Sequence, residues 1–116
     1  MRNWCVCVLM LAALIAGCAH DHDHEHEVPE GDVSAILALS GDATNGETLF
    51  ADSCGNASCH GSDGVSGPAP DIADYLTVHP VEHLARTVRF GTGAMPALSN
   101  LSDQDVADVI AYLESL

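Results

Sequence analysis

The fold turns on residues 54–60, Cys54-Gly55-Asn56-Ala57-Ser58-Cys59-His60, which bring two thiols and an imidazole within seven positions. From Cys54 to Pro70 the chain holds four glycines and two prolines. That is too many breakers for a regular element, so the segment is expected to be a loop with its backbone wrapped around something. Of the five cysteines, Cys5 and Cys7 lie in an apolar opening run and Cys18 stands where that run stops. Cys54 and Cys59 alone remain to be explained in the rest of the chain.

The flanks of this loop carry helical patterns. Upstream, a helix is expected from about Ala43 to Ser53, with Leu49 and Phe50 as its large apolar residues. Gly46, four residues before Phe50, suggests a close helix contact. Downstream, a helix beginning near Pro80 carries Val81, Leu84 and Val88 on one face and stops at Gly91, with His83 and Arg86 off that face. The last helix has Ser102 as N-cap, Asp103 and Asp105 in a first turn that favours carboxylates, and an apolar stripe of Val106, Val109, Ile110 and Leu113. No strand-period alternation stands out. The expectation is an all-α domain of three to four helices and long loops over residues 40–116. Outside the opening run its aromatics are only Phe50, Tyr75, Phe90 and Tyr112. A core that thin in a domain that small calls for a staple.

The 116 residues leave room for one such domain. Seventeen acidic residues against three arginines and no lysine give a net charge of −14, which argues against nucleic acid or anionic headgroups as partners and for basic ones. Arg2 followed by the apolar run Cys5 to Ala16 reads as a leader, too short to span a bilayer comfortably. Its end, Ile15-Ala16-Gly17-Cys18, resembles a bacterial lipobox. That resemblance implies a signal peptide over residues 1–17 and acyl chains on Cys18, anchoring the protein to a membrane of a bacterial cell envelope with the folded part in the periplasm. Ala19 stands where an aspartate is the usual inner-membrane retention signal, which leans the destination towards the outer membrane. Residues 18–39 then form an acidic tether. Within it His20, His22, His24 and His26 alternate with acids, a run that serves as a solvated spacer or as a secondary metal site.

Two thiols in this loop could add across the vinyl groups of a haem while the adjacent imidazole reaches the iron. The common attachment motif has two residues between its cysteines. Here there are four, and Asn56 stands where the common spacing would need a thiol. Farther on, Met95 in Gly91-Thr-Gly-Ala-Met95-Pro96 is the only methionine beyond the leader, and a glycine-proline loop is a poor place for core filler. His79 and His83 are rival ligands but lack that loop's freedom.

Taken in order, Gly46 and Phe50, Cys59-His60-Gly61, Gly67-Pro68, Gly93-Ala94-Met95-Pro96 and Tyr112 resemble the class I cytochromes c. The likeness covers roughly Asp42 to Leu116. It implies one covalent haem c held by Cys54 and Cys59, with His60 and Met95 as iron ligands. It also implies that the first and last helices cross near Gly46, Phe50 and Tyr112, and that the Pro68 carbonyl accepts a hydrogen bond from the His60 ring. A thioether opposite an imidazole raises the potential and suits a one-electron carrier, not an enzyme. Arg86 and Arg89 then either meet haem propionates or balance surface acids, the second being favoured. The expected partner is a redox protein with a basic docking face. The rival reading is a lipoprotein in which Cys54 and Cys59 form a disulfide or, with His60, hold a non-haem metal.

Overall fold

The computed structural model describes residues 29–116; the expected leader, Cys18 and the histidine run lie outside them. Five helices follow one another: α1 (Ser34–Leu37), α2 (Ala43–Ser53), α3 (Ile72–Val78), α4 (Val81–Phe90) and α5 (Asp103–Leu113). Among the described residues there is no strand, only an isolated bridge between Thr92 and Met95. The domain is all-α.

The long helices α2 and α5 start where the sequence supplies an acceptor for the orphan N–H groups of a first turn. Asp42 caps α2 by accepting from the amides of Thr44 at 2.9 Å and Asn45 at 3.3 Å. Ser102 caps α5 through a full capping box: its Oγ accepts from the Asp105 amide at 3.1 Å while Asp105 accepts from the Ser102 amide at 2.8 Å. Pro80 sits one place earlier than a first-turn position, at the N-cap of α4. Gly91 ends that helix with φ +73°, a conformation that side chains resist, and a β-carbon there would come within 2.6 Å of the Met95 carbonyl oxygen.

The central packing is α2 against α5. They approach so closely at Gly46 that any β-carbon on it would overlap the Asp108 carbonyl. One turn on, Phe50 meets Tyr112 with ring centroids 5.5 Å apart. The crossing implied by Gly46, Phe50 and Tyr112 is therefore present. α4 lays Leu84, Ala85 and Val88 into the same core beside Val106 and Val109 of α5.

The structure has five helices where three to four were expected, the additional short ones being α1 and α3. α3 is seven residues inside the glycine- and proline-rich stretch, started by Asp71, which accepts from the Asp74 amide at 3.1 Å. α1 has only four residues, but Val33 and Ile36 are 2% and 3% exposed in the main core, and the helix packs on α5 and α4. The packed unit thus begins before Ser40, inside the segment expected to be tether. No described helix is long and apolar enough to cross a membrane.

Asp108 is the one charged side chain buried among the described residues, and its place on an apolar helix hides its role. Its carboxylate accepts from the Asp42 amide at 2.8 Å, from Asn45 Nδ2 at 2.7 Å and from Gln104 Nε2 at 2.7 Å. It therefore ties α5 to the first turn of α2. Burial pushes its pKa up, but these three donors outweigh burial and hold it below the usual carboxylate value.

Candidate functional site

A cavity of about 570 Å³ opens into the domain, within the range of small-molecule and cofactor sites. Phe50, Ile72, Leu84, Val88, Val109 and Leu113 make much of its wall apolar. Cys54, Cys59, His60, Pro68 and Met95 all line it too. The chain brings these five together from the end of α2, the following loop and the loop after α4.

Cys54 is fixed as the last cap of α2, its amide donating to the Phe50 carbonyl at 2.7 Å. It is 6% exposed, and burial together with the neighbouring Cys59 pushes its thiol up to about 11. The four residues between the cysteines form a compact turn centred on Asn56. Its carbonyl accepts from the amides of Cys59 and Gly61, each at 3.0 Å, while its side-chain Oδ1 accepts from Ser58 at 3.0 Å from the amide and 2.6 Å from the hydroxyl. The residue standing where the common spacing needs a thiol thus builds the turn that carries Cys59 and His60, and its own side chain is exposed outside the cavity lining.

His60 corrects one expectation. Its Nδ1 lies 3.3 Å from the carbonyl oxygen of Pro70, not Pro68. Pro68 lines the cavity, but the chain places the carbonyl two residues later against the ring. Because a carbonyl only accepts, this contact places a proton on Nδ1 and leaves Nε2 as the nitrogen that could bind a metal.

Met95 is held in a tight loop by reciprocal bonds with Thr92, at 2.8 Å from its amide and 3.0 Å to its carbonyl. The Leu98 amide then donates to the Val88 carbonyl at 3.0 Å, returning the loop to α4. His79 and His83, the rival ligands, are not in the cavity wall: His79 stacks on Tyr75 at 4.1 Å, and His83 lies 5.7 Å from His79. The arginines are also elsewhere. Arg86 pairs with Glu82 at 2.6 Å, and Arg89 bonds the Leu101 carbonyl at 2.6 Å and Asp103 at 2.7 Å. Sequence reasoning missed Tyr75, which lines the wall from an unexpected helix; its only signal was the Asp71 cap ahead of Ile72.

The donor set suits a haem. Two thiols, an imidazole with a free nitrogen and a thioether border one apolar cavity, whereas among the described residues no three His, Cys, Asp or Glu side chains gather to hold a bare metal ion. Cys54 and Cys59 are free thiols.

Residues 41–113 match the family model described as "Cytochrome C oxidase, cbb3-type, subunit III". Among curated proteins, cytochrome c4 of Pseudomonas aeruginosa is 42% identical over 92 residues, covering 72% of this chain and 42% of its own length. Cytochrome c6 of Cyanidioschyzon merolae is 35% identical over 77 residues, covering 62% of this chain and 72% of the relative. A cytochrome c-553-like protein of Synechocystis is 36% identical over 87 residues, covering 72% and 78%. The chain therefore spans less than half of cytochrome c4 but most of the two smaller relatives. No solved structure matches it significantly.

Proposed function

The chain belongs to the cytochrome c family, whose members carry covalent haem c and transfer electrons without being enzymes; on that premise we propose that it is an exported, lipid-anchored carrier with His60 and Met95 as axial ligands. The observation that carries this reading is that Cys54, Cys59, His60 and Met95, from separate segments, line a single apolar cavity.

Bound there, haem c supplies the one-electron Fe(III)/Fe(II) couple. The residues divide the remaining work. Cys54 and Cys59 would hold the haem covalently, each thiol S–H adding across a vinyl group so that a C–S and a C–H bond replace the double bond. His60 Nε2 would hold the iron, the ring being kept in orientation by the Nδ1–H bond to the Pro70 carbonyl. The Met95 thioether would hold the iron as well, a donor that favours the reduced state and leaves no place for external ligands. The apolar wall excludes water, which also favours the less charged, reduced state.

The expected leader over residues 1–17, followed by Cys18, supports export and acylation, with the domain facing the periplasm of a bacterial envelope and the outer membrane as the favoured anchor site. The acidic surface supports a redox partner with a basic docking face.

A pyridine haemochrome spectrum of the protein matured in a cell that assembles c-type cytochromes tests the attachment. Wild type should show the band of a haem with two saturated arms, and Cys54→Ser and Cys59→Ser the shifted band of one remaining vinyl. Absence of covalent haem in wild type would defeat the site assignment. For Met95→Ala, the ferrous protein should acquire carbon monoxide binding that wild type lacks; unchanged spectra would remove Met95 from the iron.

A further inference from the structure

The loop that carries Met95 is thinly packed. Gly93, Ala94, Pro96, Ala97, Ser99 and Asn100 are exposed, and the loop rejoins the core only at Leu101, which is 7% exposed. Its far half is held from the end of α4. The Val88 carbonyl accepts from the Leu98 amide at 3.0 Å, and the next residue, Arg89, reaches farther: Nη1 donates to the Leu101 carbonyl at 2.6 Å while Nη2 meets Asp103 Oδ1 at 2.7 Å. Resting on the reading of Met95 as an iron ligand, we infer that Arg89 is a positioning residue: it clasps the neck of the Met95 loop and so sets how readily an outside ligand takes the place of the thioether.

Arg89 and Leu101 stand 12 positions apart, so their bond closes the segment that contains Met95. Drawing the ends of such a segment together costs chain entropy. With the clasp made, that freedom is already lost before the Met95 side chain turns into the cavity. Without it, the loop regains freedom whenever the thioether leaves, which favours its departure.

A guanidinium suits this task. Its planar fork sends two N–H groups to two acceptors at once, where a lysine ammonium would meet one of them as a point charge. The acceptors are placed to matter: Leu101 precedes the Ser102 cap and Asp103 opens α5, the helix that gives Val109 and Leu113 to the cavity wall. The clasp thus sets the end of the loop against the wall Met95 faces. An exposed ion pair alone would contribute little, but the Arg89 side chain is only 17% exposed and its bond to the Leu101 carbonyl is partly buried. Arg86 is the contrast on the same helix, because its partner Glu82 lies within α4 and the pair ties down no loop.

Titration of the ferric, haem-loaded protein with imidazole tests the clasp, followed by the far-red charge-transfer band of methionine on ferric iron, with haem content and helical circular dichroism as fold controls. Arg89→Ala should weaken the band and bind imidazole about tenfold more tightly, the scale of one charge-assisted hydrogen bond. Arg89→Lys should fall between it and wild type. Asp103→Asn, which keeps the Leu101 bond and disturbs the fold less, should gain about threefold. Arg86→Ala should match wild type, and Asp108→Asn, which loosens α2 against α5 away from the loop, should lower Tm without changing imidazole affinity. Wild-type affinity in both Arg89→Ala and Asp103→Asn would overturn the inference, as would an equal gain in Asp108→Asn, which would trace the effect to general stability. A wild-type protein without the band would instead remove Met95 from the iron, and the inference with it.

Discussion

At Asn56 a single side chain decides how an unusual spacing is accommodated. The turn between the cysteines closes on the Asn56 carbonyl and is braced by its Oδ1, so the two additional residues are absorbed without moving Cys59 or His60 from the cavity wall. Asn56 itself is exposed. Shifting the first thiol to the common spacing therefore should not restore a second attachment. Cys54→Ser/Asn56→Cys is expected to give the same one-vinyl haemochrome band as Cys54→Ser alone, and a two-arm spectrum would show that the turn rearranges. The sequence exposed the reactive atoms of this site because thiols, imidazole and thioether are rare and chemically distinct. It did not expose which proline carbonyl meets the ring: Pro68 and Pro70 stand in the same loop, and only the chain path distinguishes them.

For the elements, the α2–α5 crossing concentrates stability in two residues that an apolar pattern does not weight. Gly46 has no space for a methyl group against the Asp108 carbonyl. Gly46→Ala should therefore destabilise by about 1–3 kcal/mol or more despite the better helix propensity of alanine. In a domain this size each kcal/mol lowers Tm by about 4–8 °C, which thermal circular dichroism would record. Asp108 adds a pH dependence of known sign. Its folded pKa lies below the unfolded value of about 3.9, so its contribution is complete above that value and disappears as pH falls through the folded one. Asp108→Asn should cost about 1–3 kcal/mol at pH 7 and flatten the loss of stability below pH 4, measured by denaturant titration at several pH values. The long helices were legible because Asp42, Ser102 and Gly91 mark their ends chemically. α1 was not, since four residues carry less than two turns of periodicity, and Asp108 gave no signal because two of its three partners lie 63 and 66 positions away.

Across the whole molecule, composition and architecture point the same way. The aromatic-poor core left a cavity, and the cavity gathers the chemically distinct residues, so the thin core anticipated a cofactor before any helix was placed. The reach of the packed unit back to Val33 was less legible, because two apolar residues next to an acidic run have no periodicity of their own. The remaining consequence concerns encounter. Only three arginines oppose 17 acids, and both described arginines are already paired with acids, so little positive charge is left to offset the field at the surface. A basic partner is drawn towards such a field, and salt screens the attraction once the Debye length shrinks to about 10 Å at 0.1 M. Stopped-flow electron transfer with a small basic redox protein should therefore slow by roughly tenfold or more between 10 mM and 0.3 M salt, while an acidic protein of similar potential should react slowly at low salt and faster as salt rises. A salt-independent rate with the basic partner would mean that docking uses an uncharged patch and that the acidic surface serves solubility alone.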